Sequence, residues 1–281
     1  MRVPIPAKAT AALLSLIWLP GPARSGETQA RVAAEPVLAR IEQAGQTRIV
    51  MRGRLGKKRA RQMELLARAV QKDVARRFLT ARDKSGLPPV DMCLFASTRA
   101  YRSFVDEAFW KGYDVSDWGF YVPGRRLVVA NVGASRGNLR HELTHALLGD
   151  DFPDIPDWLN EGLGSLYGSA VQTRKGFRFL VNYRLRHLRK ALADRQLPSL
   201  EDLARSGRRD VYGPRSLAYY ALSRYVLLYL DGRGKLDAFV RELRAGPLTA
   251  GRQLAVLKKY VDYEAFIAWT RKLRFEPRRK P

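Results

Sequence analysis

Between residues 57 and 82, apolar side chains recur every three or four positions, at Met63, Leu65, Leu66, Ala69, Val70, Val74 and Phe78. That period lays them along one face of a helix, and Gly86 with the Pro88-Pro89 pair ends the unit. Residues 90–96 read as a short buried strand. Thr98 is placed to cap a helix over 98–110 that carries Tyr101, Phe104, Val105 and Phe109. Gly119-Phe120-Tyr121-Val122, then Pro123-Gly124-Arg125, then the run from Arg126 to Asn131 predicts a hairpin. A loop over 133–137, with Ser135 or Asn138 as cap, leads into a helix that runs through Leu148 and stops at Gly149. The acidic, proline-punctuated stretch 150–156 is a loop. Asp157 then caps a helix containing Trp158, Leu159, Leu163, Leu166 and Tyr167. Beyond it helical spacing dominates, over 183–195, 199–206, 214–230, 235–243, 251–260 and 263–273. Upstream, 35–47 reads as a short helix or connector and 48–55 as a strand.

This order predicts an α+β fold: a small mixed sheet with flanking helices, then a mostly helical lobe. The expected division is an N-terminal α/β lobe over 26–150 and a helical lobe over 151–281, closed by a basic tail at 277–281 that should not be ordered. There is no internal repeat.

At 281 residues and 46% hydrophobic composition the chain is long enough to build its own core. Its first 25 residues serve another purpose. Arg2 and Lys8 precede an apolar run over 11–19, Pro20-Gly21 breaks it, and Ala23-Arg24-Ser25 offers small residues where a signal peptidase reads. The run is shorter than the ~20 residues that span a bilayer, so residues 1–25 are expected to be a cleaved export signal. The protein is then periplasmic or secreted. The single cysteine, Cys93, lies in an apolar run and reads as a buried small hydrophobe; with one cysteine no intrachain disulfide can form. The formal charge of +24 is spread along the chain, densest over 52–61, 174–190 and 271–280. Such a surface attracts anionic envelope polymers or an anionic lipid face. The basic stretches carry no nucleic-acid fold signature, and no specific nucleic-acid binding is expected.

The candidate chemistry is concentrated in His141-Glu142-Leu143-Thr144-His145. Four residues apart on a helix, His141 and His145 stack on one face and point at a common ion. Glu142 lies ~100° around the helix from His141. It can reach a water on the metal without being a ligand, and so serve as general base. Two of only three histidines in the chain stand at this spacing. A catalytic zinc keeps three protein ligands and one open position, and three residues could supply the third. His187 sits among Arg184, Arg186, Arg189 and Lys190, whose charge opposes a second cation. Asp151 is at the distance used by metzincin-type zinc proteases, but Leu148 stands where those use a turn-forming glycine. Glu161 lies one turn into the next helix, across a short proline-fixed loop that lets two helices meet at the ion.

Together with Trp158-Leu159-Asn160-Glu161-Gly162, the histidine motif resembles the gluzincin metallopeptidases, a peptidase MA-like group. The second motif is similar to that of the zinc aminopeptidase branch. The likeness covers about the central tenth of the chain. It implies a zincin-like fold and one Zn²⁺ per chain held by His141, His145 and Glu161, with Glu142 as general base. The gap between His145 and Glu161 is a little shorter than in the aminopeptidases. Ser165 stands where those enzymes often carry an acidic group, and it could still hydrogen-bond a ligand imidazole. No Gly-Ala-Met-Glu-Asn-like segment is present to hold a substrate's free amine, which favours internal cleavage. The likeness extends weakly to Tyr212-Gly213-Pro214-Arg215 ahead of a long helix. There it implies Tyr212 as oxyanion donor, with a packing role for the tyrosine as the alternative; Arg215 is a candidate auxiliary donor, and Tyr219 or Tyr220 could take the role instead.

These readings converge on an exported zinc-dependent metallohydrolase acting on a peptide or protein substrate, with an endopeptidase favoured. If residues 126–131 are an exposed edge strand rather than a covered internal one, an extended peptide can add to them by backbone pairing. Two other readings stay open: a catalytically idle, zinc-stabilised module that binds the envelope, and a zinc amidase acting on a non-peptide cell-wall link.

Overall fold

The computed structural model describes residues 49–50, 55–80, 90–108 and 116–275. The expected export signal, the 35–47 connector and the basic tail lie outside the described residues. The fold is α+β. Four strands, β1 (Ile49–Val50), β2 (Asp91–Phe95), β3 (Gly119–Val122) and β4 (Leu127–Asn131), form one sheet in the order β1-β2-β4-β3. β1 runs parallel to β2 and β2 parallel to β4, while β3 pairs antiparallel with β4. The β3–β4 hairpin turns through a 3₁₀ turn at Pro123–Arg125. Arg126 then closes it in the left-handed region at φ 47°.

β4 therefore lies inside the sheet, and all five of its residues are buried. Of the two readings of 126–131, exposed edge or covered internal strand, the structure has the internal strand. A strand buried on both faces reads as a continuous apolar run, which is the pattern of Leu127-Val128-Val129-Ala130. The edge is β3 instead, and among the described residues no strand pairs with its other side.

Alternation sorts the strands onto two cores. Cys93, Phe95, Phe120, Leu127 and Val129 pack under α2 (Thr98–Ala108) through Tyr101, Phe104 and Val105. Cys93 is fully buried, as its context predicts. Met92, Leu94, Val128 and Ala130 face the other way, into a larger core shared with α1 (Lys57–Phe78) and the helices beyond residue 135. Ser97 rather than Thr98 caps α2, accepting from the Ala100 N–H at 3.2 Å. Thr98 accepts from the Asn131 side chain at 2.9 Å instead, tying the helix to β4.

α3 (Arg136–Asp151) follows β4 and is capped by Ser135, which accepts from the Gly137 N–H. It runs through Gly149 rather than stopping there. Its last residue, Asp151, pairs with Arg244, and Asp151 also accepts from Thr80 at 3.0 Å. That anchorage holds the extra turn in place. A five-residue link leads to α4 (Asp157–Gly168), where Pro156 takes the cap position and Asp157 is the first helical residue. α4 is enclosed: Trp158, Leu159, Leu163, Leu166 and Tyr167 are all fully buried. It approaches α3 so closely that a Cβ on Gly137 would fall 2.3 Å from the Gly168 carbonyl oxygen. Arg140 fastens the crossing by donating to the Tyr167 and Gly168 carbonyls at 2.7 and 3.1 Å.

A hairpin that the sequence pattern did not announce follows, β5 (Ala170–Thr173) against β6 (Gly176–Phe179). The rest is helical much as the spacing predicts: α5 (Arg184–Ala193), α6 (Leu200–Arg205), α8 (Ser216–Asp231), α9 (Leu236–Arg244), α10 (Ala250–Tyr260) and α11 (Tyr263–Lys272). A short additional helix, α7 (Arg208–Tyr212), was not foreseen, and α8 begins two residues after Pro214 rather than at it. The long α8 packs on the face of α4 away from α3. Gly162 permits this, since a Cβ there would meet Leu227 Cδ1 at 2.7 Å. Side chains from Met63 to Phe266 share this one core.

Candidate metal centre

α3 presents His141 and His145 one turn apart, and α4 lifts Glu161 to meet them. The two Nε2 atoms stand 3.0 Å apart, and Glu161 Oε2 lies 3.3 Å from His141 Nε2 and 3.7 Å from His145 Nε2. Glu161 is 1% exposed, and its Oε2 has no hydrogen-bond partner. A buried carboxylate oxygen left unpaired is costly. Three lone pairs converging on one point, one of them orphaned, are the arrangement that a bound cation satisfies. His141, His145 and Glu161 can therefore hold a metal ion.

The orientation of His145 is set from behind. Its Nδ1 lies 2.8 Å from Asn160 Oδ1, which accepts the Nδ1 proton and leaves Nε2 free to ligate. The sequence reading had looked to Ser165 for such support. Ser165 Oγ instead faces Arg224 at 3.3 Å, and the residue next to the carboxylate ligand does this work. The position of Asn160 in the motif, immediately before Glu161, was the available signal.

Gly164 is the second determinant that sequence reasoning missed. A Cβ at that position would lie 2.9 Å from His145 Cε1 and 3.1 Å from His141 Cε1. The imidazoles rest directly on the α4 backbone, so only glycine lets the two helices approach closely enough for Glu161 to reach them. Gly164→Ala is expected to reduce metal affinity by at least the ~10–100-fold typical of lost outer support, although no ligand atom is removed. Equilibrium metal competition against a chromophoric chelator measures it, and unchanged affinity would refute this role.

Glu142 is 4% exposed and is not one of the converging groups. Its side chain lies against the edge strand, with Cγ 3.3 Å from where a Cβ of Gly119 would sit. Gly119 has φ +155°, a conformation open to glycine, and so lets the strand pass close to the carboxylate. Burial pushes the Glu142 carboxyl up to about 7, with His141 opposing and Glu161 adding to the rise. Burial acts the same way on Glu161, but the imidazoles of His145 and His141 outweigh it and hold that carboxyl at about 2. Burial and the neighbouring charges thus drive the two carboxyls of this site in opposite directions.

Tyr212 reaches the centre from the end of α7. Its hydroxyl donates to Glu161 Oε1 at 2.9 Å, and its ring meets Tyr220 edge-on at 6.2 Å. In this conformation the hydroxyl is committed to the carboxylate. Tyr212→Phe is therefore expected to weaken metal retention by ~10–100-fold, the usual cost of losing an outer partner of a ligand. A fall in turnover at unchanged metal content would assign the hydroxyl to the oxyanion instead. The other candidates lie elsewhere. Arg215 donates to the Gln196 carbonyl at 3.1 Å and covers Tyr219. His187 stands beside Tyr183 and Arg186, and Asp151 belongs to the Arg244 pair.

No protein-family model matches this chain, and no curated protein matches it.

Proposed function

We propose that the protein is an exported zinc-dependent hydrolase that cuts peptide bonds within a polypeptide, a gluzincin-type endopeptidase. The observation that carries the reading is Glu142. A centre serving only to hold the fold together has no need of a buried carboxylate that is not a ligand. Here one stands beside the converging ligands, on the side of the open strand edge.

Zinc suits the donor set of two imidazoles and one carboxylate. Tetrahedral bonds of ~2.0–2.2 Å place neighbouring ligand atoms roughly 3.3–3.5 Å apart. The spacings of 3.0, 3.3 and 3.7 Å bracket that value. A zinc ion there would acidify a water molecule and polarise the scissile carbonyl. Glu142 would take the proton from the attacking water and pass it to the leaving amine, a task for which a buried carboxylate that is not a ligand is placed. Asn160 and Tyr212 would keep His145 and Glu161 in place through these steps. The open edge of β3 offers backbone groups along which an extended peptide could lie, its carbonyl carried past Glu142.

The basic, apolar, small-residue order of the first 25 residues supports export. Among the described residues no helix is long and apolar enough to cross a membrane. The net positive charge supports a location beside anionic envelope polymers or lipid. Incubating the purified protein with a proteome-derived peptide library, with and without a chelator, tests the reading. New internal termini that vanish with chelator and return on adding zinc are expected. A library left intact, alongside cleavage of a cell-wall amide or tight binding to envelope polymer alone, would replace it with the amidase or the idle module.

A further inference from the structure

Two guanidinium groups near the metal centre have no carboxylate partner among the described residues. Arg184, the first residue of α5, lies over the ring of Tyr220 with Cζ 4.7 Å from the centroid, and over Tyr183 at 5.4 Å. Tyr220 in turn packs edge-on against Tyr212, whose hydroxyl holds Glu161. Arg184 is thus two aromatic rings from a metal ligand, and its charge reaches His141. Among the described residues its guanidinium has no hydrogen bond and no ion pair. The two rings hold the guanidinium in place and accept none of its N–H groups.

Arg224, on α8, is completely buried. It donates to the carbonyls of Ser165 and Leu180, and its Nε has no partner. Burial lowers its pKa to about 10, and Arg184 is among the charges that add to the fall. Two cations close enough to repel one another, beside a site built for a third, lack the counter-charge that buried ions require. Arg184, half-buried and with its donors free, is the one placed to receive that charge from outside.

We propose that Arg184 recognises a carboxylate on the substrate, so that the centre prefers peptides carrying an acidic side chain, or a free C-terminal carboxylate, beside the bond to be cut. This rests on the hydrolase reading above and names its substrate class. An aligned guanidinium–carboxylate pair forms two parallel charge-assisted hydrogen bonds. In a partly desolvated site such a pair is strong enough to dominate selection among otherwise neutral peptides.

The test separates recognition from catalysis. Glu142→Gln protein, with metal content confirmed, is titrated calorimetrically with blocked pentapeptides differing at one group. One pair has a central Asp or Asn. A second pair, with central Asn, ends in a free acid or an amide. In at least one pair the anionic member is expected to bind about 10-fold or more tightly, as a charge-assisted hydrogen bond implies. The pair that responds tells whether the carboxylate is a side chain or a chain end. Adding Arg184→Gln should bring that ratio close to one, and Arg184→Glu should invert it. Each ratio is taken within one protein, so a partly unfolded preparation does not alter it. No preference in either pair, no binding of any peptide, or a preference that survives Arg184→Gln overturns the proposal. If no peptide is cleaved by the unsubstituted protein while the preference holds, the hydrolase reading fails and the recognition stands.

Discussion

Glu142→Gln is expected to leave the metal in place and to lower hydrolysis by ~10²–10⁴-fold, the range that a positioned general base contributes. The amide is nearly isosteric with the carboxyl, and Glu142 is not among the groups that converge on the ion. Metal content measured by plasma emission on dialysed protein should therefore match the unsubstituted chain, while turnover of a cleaved reporter peptide collapses. The substitution should not harm the fold. A carboxyl raised to about 7 by burial is costly to ionise, so the folded form gains from its proton at low pH and loses that gain as pH rises through 7. An amide has no such cost. A rate close to that of the unsubstituted protein would remove Glu142 from the mechanism and return the centre to a structural role.

His141→Ala with His145→Ala is expected to abolish the binding of about one metal per chain, since a single carboxylate remains. Glu161→Ala alone should lower affinity beyond the ~10–100-fold that follows loss of an outer partner. It also strips Tyr212 of its acceptor. The contrasting substitution is Asp151→Ala. That side chain is 1% exposed and paired with Arg244, so its removal should cost roughly 3–5 kcal/mol of stability through an abandoned buried charge, with metal affinity unchanged. Metal titration and chemical denaturation, run on the same three proteins, separate the two effects. Retention of stoichiometric metal by the double histidine variant would place the ion elsewhere, and loss of metal from Asp151→Ala but not Glu161→Ala would exchange the third ligand.

The placement of His141, Glu142 and His145 on one helix, and of Glu161 one turn into the next, was legible because helical period and a short link act locally, whereas the close approach of the two helices at Gly164 was not. Helical period alone sets the direction of side chains four apart. A five-residue link with two prolines leaves the following helix little freedom, so the ligand one turn into it could be inferred. The same locality explains why helices α5 to α11 lie close to where apolar spacing puts them, α7 excepted. The boundaries that moved did so for contacts distant in the chain. α3 outran Gly149 because Asp151 found Arg244, 93 residues away. The cap of α2 passed to Ser97 while Thr98 was engaged by Asn131, 33 residues on.

What no pattern of residues could disclose is which surfaces end up adjacent. An apolar strand reads alike in the middle of a sheet and at a covered edge, so the open edge at β3, not β4, was settled only when β4 seated itself between β2 and β3. Gly164 is unremarkable in the chain and becomes necessary only once two imidazoles lie on it. Tyr212 and Glu161 are 51 residues apart, and the packing of α4 against α8 makes them hydrogen-bond partners. The spacing of the candidate ligands along each helix is a property of short-range geometry, written in the order of residues. Their support, the strand beside them and the cations near them come from long-range packing, where many side chains must fill one volume together and no short segment carries the result.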